Sequence, residues 1–455
     1  MPLASSFEAN PHWLPPQRRD TLEDIPGEDG WPVVGGTLKL VADPTGYVRR
    51  MHAKYGSVYR HRSFGGRNAV LLGADANELV LFDRDRIFSS EQGWGPMLNL
   101  LFPRGLMLMD FDKHRVHRRT LSVAFKPEPM RLYAESLNAG IARWVKAYAG
   151  RSFAFYPAIK ALTLELAATS FLGLPFGPES ARINQAFVDM VQATIGIIRL
   201  PLPHTAMGRG VAARRFLVDY FGKLVPERRA GNGEDMFSQI CRATHDDGTH
   251  LSDGEIVDHM NFLMMAAHDT ITSSATTLVM LLGRNPEWQV KLRDEMETLG
   301  VNDEDLPYDR LGDLVLTEYA FKEAMRLMPP VPSIPRRALK GFEFHGHHFP
   351  AGTFVGVNTH FVHADPAHWP DPEKFDPLRF TPEASRGRHK YAWVPFGGGP
   401  HMCLGLHFAY MQVKILMWHL LRAAEIELPS GSGAKWQAWP IPKPRDGLPL
   451  TLRSI

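Results

Sequence analysis

The chain has 455 residues, 51 Lys+Arg against 49 Asp+Glu, and a formal net charge of +2, a balance that argues against a dedicated nucleic-acid binder. Hydrophobic residues make up 44%, ordinary for a globular protein in water, and apolar runs such as Leu278–Gly283 fall far short of the roughly 18 residues a membrane span needs. Two cysteines cannot build a disulfide framework, and the polar, proline-bearing N-terminus reads as neither signal peptide nor anchor, so a cytoplasmic protein is expected.

No linker, charge block or fixed-period repeat divides the sequence. An extended tail over residues 1–25 and one domain over 26–455 are expected. The stretch GSVYRHRSFGGRNAVLLG (56–73) reads as a strand pair turning at Gly65-Gly66. From about residue 75 to 330 the pattern is mostly helical. Strand signals return over 341–360, a proline-rich irregular stretch covers 365–385, and a glycine-studded loop leads into a last long helix. The expected class is mainly α with a smaller β region.

Two helices stand out. Ser252 and Glu255 have capping-box spacing and open a helix that runs to Gly283, just ahead of Asn285-Pro286. At roughly 30 residues it is about 45 Å long, and its middle is apolar nearly all round, so it should be buried. In the second, over 404–424, Leu404, Phe408, Met411, Ile415 and Trp418 recur at steps of three and four and form one apolar stripe.

Between them lies FGGGPHMCLG (396–405). Its glycines lower local stability unless the backbone turns tightly or lets a group approach closely. Cys403 sits at a helix start, where free N–H groups favour a negative sulfur. Such a thiol is either a nucleophile or a metal ligand, and the loop alone leaves both open. A nucleophile needs a base, for which His401 is the near candidate. As a ligand, a single thiolate suits axial binding to haem iron, because the porphyrin supplies the other four donors. Gly405 would then let the helix lie against the macrocycle, Phe396 would shield the sulfur, and His401 would reach a haem propionate.

The pattern F-x-x-G-x-x-x-C-x-G, set by Phe396, Gly399, Cys403 and Gly405, resembles the haem-binding loop of the cytochrome P450 family. Three further segments resemble that family in order and spacing. In KEAMRL (322–327), Glu323 and Arg326 share a helix face. Alone, such a pair is most often a solvated salt bridge. Followed by FDPLRF (375–380), it implies a buried Glu323–Arg326–Arg379 network with a structural role. AAHDT (266–270) resembles the oxygen-activation segment, which implies that Thr270 hydrogen-bonds dioxygen and Asp269 relays protons; Ala267 stands where the family usually has glycine. In HRVHRR (114–119), His114 and Arg118 would bind propionates, as would Arg336, with Arg337 as its substitute.

The resemblance covers roughly residues 26–455. It implies the cytochrome P450 fold, a large helical region with a smaller β region, and haem between the long central helix and the Cys-loop helix. It implies haem b with an axial Cys403 thiolate and insertion of one atom of O2 into a lipophilic compound: terpenoid, retinoid or steroid-like first, fatty acid next. The apolar segments 93–108 and 187–202 and Ser333-Ile334 would line the pocket, with Met97, Leu98, Leu263 and Ala266 as the further candidate residues. Neither a flavin nor an iron–sulfur motif is evident, so electrons are expected from a separate ferredoxin or flavodoxin-like partner with its NAD(P)H reductase. Lys113, Arg115, Arg119, Arg386, Arg388 and Lys414 are its candidate contacts on a basic proximal face. A peroxygenase or isomerase working without electron delivery, and a non-catalytic haem-thiolate sensor, are the alternatives.

Overall fold

The computed structural model describes residues 13–15, 22–32, 34–175, 177–194, 196, 200–301, 304–433 and 435–455. A six-stranded sheet forms the β region. Its strands are β1 (Gly27–Glu28), β2 (Val58–Ser63), β3 (Gly66–Leu71), β4 (Phe88–Ser89), β5 (Ser333–Ala338) and β6 (Phe354–Asn358), in spatial order β1-β2-β3-β6-β5-β4. The β2–β3 hairpin turns at Phe64-Gly65, both with positive φ, and runs in antiparallel register from Ser63↔Gly66 to Val58↔Leu71. β5 was not marked in the sequence: Pro335 and two arginines disguise a strand that pairs antiparallel with β6.

The helices that frame the site are α1 (Ser90–Leu98), α2 (Phe111–Leu121), α3 (Pro127–Tyr148), α4 (Phe155–Leu172), α5 (Asp253–Arg284), α6 (Val315–Leu327) and α7 (Leu406–Ala423). The capping box opens α5: the Ser252 hydroxyl accepts from the Glu255 amide at 3.3 Å, and Glu255 Oε2 accepts from the Ser252 amide at 3.0 Å. With 32 residues, α5 is about 48 Å long. Most hydroxyls of its Ser/Thr run are satisfied within the helix; Ser273 instead donates to the Pro442 carbonyl at 2.6 Å, and Thr277 Oγ1 has no partner among the described residues. Thr270, Thr272, Ser274 and Thr276 each donate to the carbonyl four residues back, at 2.7–2.9 Å.

α7 starts at Leu406, two residues later than the stripe suggests, and buries Phe408, Met411, Ile415 and Trp418. It packs on α3 and α6. Strand Ala424–Glu427 follows directly and pairs with Pro449–Ser454, which also pairs with Ser152–Ala154; these short strands carry too little periodicity to read in advance.

Two main hydrophobic cores result, one among the helices and one under the sheet, and Trp94 of α1 packs against both. Of the expected tail, Leu22 and Ile25 are buried, and Trp13, Leu14 and Pro15 are bonded to the body of the protein. Residues 1–12 and 16–21 lie outside the described residues. Among the described residues, no helix is long and apolar enough to cross a membrane.

Candidate active site

The Cys403 loop is closed by its own backbone, with the Cys403 amide donating to the Phe396 carbonyl at 2.9 Å. Gly399 has φ +60°, and a Cβ there would lie 2.1 Å from the Leu81 carbonyl oxygen. Only glycine fits, because the loop rests on a π-helical turn at Glu78–Phe82. Gly397, at φ +70°, also needs its missing side chain. Cys403 is exposed as a residue, while its thiol is crowded by protein atoms. That desolvation raises its pKa above the ordinary thiol value, while the Gly405 amide and Arg118 pull it down. The helix start alone therefore does not hold a thiolate, since Cys403 precedes the first helical residue by three positions. A metal cation at the sulfur would supply the missing stabilisation.

Beside the loop sits a cluster of cationic and basic groups. Arg336 is 4% exposed. Among the described residues its hydrogen bond is to the Pro335 carbonyl, at 2.9 Å, and no carboxylate lies within salt-bridge distance. Burial pushes its pKa down to about 10, against weak support from Asp110 and Asp83. The rings of His114 and His401 stack with centroids 3.9 Å apart. Burial first, then the neighbouring cations, lowers His114 to about 4 and His401 to about 2. Arg118 donates to the Met402 carbonyl at 2.7 Å and so ties α2 to the Cys loop. Two arginines and two histidines are thus held together with no carboxylate within salt-bridge distance among the described residues. These donors fit a bound group that carries carboxylates, adjacent to a thiol that fits its metal.

Arg337 does not join them. Successive strand residues face opposite sides, and its guanidinium instead meets the carbonyls of Leu14 and Pro15. It is not a substitute for Arg336.

Behind the loop, Glu323 and Arg326 form a bidentate pair at 2.7 and 2.8 Å, both side chains fully buried. Arg379 Nε lies 3.4 Å from Glu323 Oε1, which also accepts from the Asp376 amide at 3.0 Å. The arginines spend their other donors on backbone carbonyls: Arg326 on His363, at the end of a short helix, and on Lys374 of the irregular stretch, and Arg379 on Pro370 and Asp371 of the same stretch. One carboxylate and two guanidiniums therefore fasten a segment with almost no secondary structure of its own.

At mid-α5 the burial pattern breaks. Met265, Ala266, Ala267, Asp269 and Thr270 retain partial solvent access on a helix otherwise buried along its centre. This marks a groove. Thr270 Oγ1 donates to the Ala266 carbonyl at 2.8 Å. Asp269 Oδ1 is held at 3.1 Å by Lys160 Nζ of α4, and His268 Nδ1 lies at the same distance. His268 is buried, its Nε2 has no hydrogen-bond partner, and burial lowers its pKa to about 4. Lys160 carries no local sequence signal, since it reaches Asp269 across 109 positions; His268 stood inside the AAHDT segment without a role.

Of the other pocket residues, Leu98 and Leu263 belong to the helical core and Ile334 to the sheet core, while Met97 and Ser333 are half-buried. Within segment 187–202, residues 195 and 197–199 lie outside the described residues.

The outer face of the Cys loop opens on a groove of about 710 Å³ lined by Trp393, Phe396, Gly397, Met402 and Tyr410 among others. Its candidate cations are mostly engaged. Lys414 is buried on Glu318 at 2.7 Å, Arg115 pairs with Asp112 and Arg119 with Asp246, and Arg388 stacks on Trp369 at 3.9 Å. Lys113 and Arg386 are exposed without an ion-pair partner among the described residues.

A family model described as cytochrome P450 matches residues 25–440. Cytochrome P450 136 of Mycobacterium tuberculosis is 36% identical over 442 residues, 95% of this chain and 89% of that protein. A beta-amyrin 28-monooxygenase of Solanum lycopersicum is 28% identical over 448 residues, 94% of this chain and 92% of that protein. Among solved structures, a retinoic acid-bound cyanobacterial CYP120A1 superposes with a TM-score of 0.87 at 29% identity, covering 95% of this chain and 99% of that one.

Proposed function

The chain belongs to the cytochrome P450 family and is a monooxygenase of that family; on that footing we propose that it binds haem b through Cys403 and hydroxylates a lipophilic compound with electrons from a separate partner protein. When bound, haem held by a thiolate would supply the redox chemistry that divides dioxygen between water and the substrate. The rest falls to this chain's own groups. Cys403 would ligate the iron as its thiolate. Arg336, Arg118, His114 and His401 would hold the two propionates, and Phe396 would keep water from the sulfur. Thr270 Oγ1 turns from the Ala266 carbonyl to donate into the groove, and Asp269 brings it protons from the Lys160 and His268 side.

The observation that carries this reading is the cluster of His114, Arg118, Arg336 and His401, with no ion-paired carboxylate among the described residues, beside the only cysteine of the loop. Such a cluster is costly unless anions complete it. The test is the red-shifted ferrous–CO absorption band of thiolate-ligated haem. It should be present in the purified protein and lost in Cys403→Ala; a protein that takes up no haem, or binds it without that band, overturns the reading.

The apolar Met265, Ala266 and Ala267 at the groove support a terpenoid, retinoid or steroid-like substrate, and the beta-amyrin 28-monooxygenase and the retinoic acid-bound structure among the similar proteins point the same way. A spin-state titration of the ferric protein against those three classes and fatty acids tests this; a response to fatty acids alone refutes it. The partner would dock over the 710 Å³ groove with Lys113 and Arg386 as its charged contacts.

A further inference from the structure

α1 is a helix that its own sequence cannot hold. It has nine residues, including Gly93, Gly95 and an internal Pro96. Isolated helices of that length are marginal even without such residues. Its two glycines explain what holds it. A Cβ at Gly93 would lie 2.6 Å from the Arg336 Cα, so α1 sits directly on β5 beside the cationic cluster. A Cβ at Gly95 would lie 2.3 Å from the Trp13 ring, so α1 is also covered by the N-terminal segment.

That segment is bonded at three successive residues. Trp13 Nε1 donates to Glu91 Oε1 at 3.0 Å, and the Leu14 amide donates to Gln92 Oε1 at 3.1 Å. Arg337 Nη1 donates to the Leu14 carbonyl at 2.8 Å and to Gln92 Oε1 at 3.2 Å, and Nη2 donates to the Pro15 carbonyl. Arg337 is fixed in turn by the Gly352 carbonyl at 3.2 Å and by the Phe354 ring at 4.9 Å. Arg336 and Arg337 therefore divide one strand between two tasks, one facing the cofactor cluster and the other facing the chain's own N-terminal segment.

We propose that Trp13–Pro15 form a strap that holds α1 against β5, with Trp13 and Arg337 as positioning residues that govern how large ligands enter the mid-α5 groove. The strap acts through α1, which carries Met97 and Leu98 and wedges Trp94 between the two cores. The part concerning ligand entry rests on the reading of that groove as the substrate site.

The test compares Trp13→Ala, Trp13→Phe and Gly95→Ala with the unmodified full-length haem protein. Backbone hydrogen exchange over residues 90–98 should speed up at least tenfold in Trp13→Ala and Gly95→Ala, and less in Trp13→Phe, which keeps an aromatic ring on this side of α1 while losing the indole's outer edge on Gly95 and its bond to Glu91. Gly95→Ala is the sharpest variant. Alanine favours helix, so an account from helix propensity alone requires slower exchange, whereas expulsion of Trp13 requires faster. Affinity for the bulky azole clotrimazole should change at least threefold in Trp13→Ala while affinity for imidazole stays the same. Unchanged exchange at 90–98 overturns the strap. Equal shifts for both azoles overturn its control of entry. A missing ferrous–CO band in the unmodified protein overturns the site reading instead, and the exchange comparison is read independently of it.

Discussion

Replacing Glu323 with glutamine removes one charge from a site where nothing can compensate for it. Both Glu323 and Arg326 have no exposed side-chain surface, and Arg379 is 8% exposed. Glutamine keeps the size but leaves two buried guanidiniums without a carboxylate. Breaking a buried pair in this way costs about 3–5 kcal/mol. At about 1.4 kcal/mol per factor of ten, the ratio of folded to unfolded protein falls by roughly two to three and a half powers of ten. Against a total stability of about 5–15 kcal/mol this approaches global unfolding. Burial raises the Glu323 pKa above the usual carboxylate value although Arg326, the Asp376 amide and Arg379 all pull it down. Keeping this charge dry therefore costs more than its partners return. It follows that the double change Glu323→Leu with Arg326→Met should be less damaging than either single change. The assay is urea denaturation of all four proteins followed by far-ultraviolet circular dichroism, closed as a double-mutant cycle. A loss below about 1 kcal/mol in Glu323→Gln, or strictly additive losses, refutes the reasoning.

Four further outcomes are expected. Thr270→Ala should lower product formed per electron consumed and release peroxide, with stability nearly unchanged; unchanged coupling counts against a role for Oγ1. Lys160→Met frees Asp269 Oδ1 from its cation, and turnover should fall roughly tenfold, less than the about hundredfold or more that a proton-transferring group itself contributes, because Lys160 acts through Asp269, with ligand affinity preserved; unchanged turnover removes Lys160 from the pathway. His114 and His401 are depressed in the fold relative to an ordinary 6.5. Their contribution is full above that pH and lost below it as the unfolded chain takes up protons, about 1 kcal/mol each between pH 6.5 and 5.5. Haem carboxylates beside them should blunt this loss, so denaturation at pH 7.5 and 5.5 should separate haem-depleted from haem-loaded protein, and equal sensitivity in the two contradicts the assignment. Finally, Lys113→Glu with Arg386→Glu should slow reduction by an acidic ferredoxin more strongly at low salt than at high salt; a flat salt response places docking elsewhere.

What could be read in advance was whatever the chain encodes locally. The capping box at Ser252 and Glu255, the 56–73 hairpin (read as turning at Gly65-Gly66, one residue later than it does), the α7 stripe and the glycine loop around Cys403 each declare themselves within a few residues. Glu323 and Arg326 share a turn of helix, so their pairing was visible, although not the carbonyls that Arg326 and Arg379 satisfy. The misreadings all concern long side chains whose partners lie far along the sequence. Arg337 looks interchangeable with its neighbour until strand alternation sends it to Leu14 and Pro15. Lys414 looks like a surface cation until Glu318 and the Leu311 carbonyl claim it. Lys160 is invisible until α4 packs on α5.

The seat of Gly399 on Leu81 has an evolutionary and practical corollary. A stretch near the C-terminus can keep its shape only if a bulged turn more than three hundred positions earlier keeps its extra residue. Chimeras that graft the first hundred residues from a relative with a plain α-turn there should lose pigment even with every C-terminal residue intact, and restoring the one-residue bulge should bring the colour back.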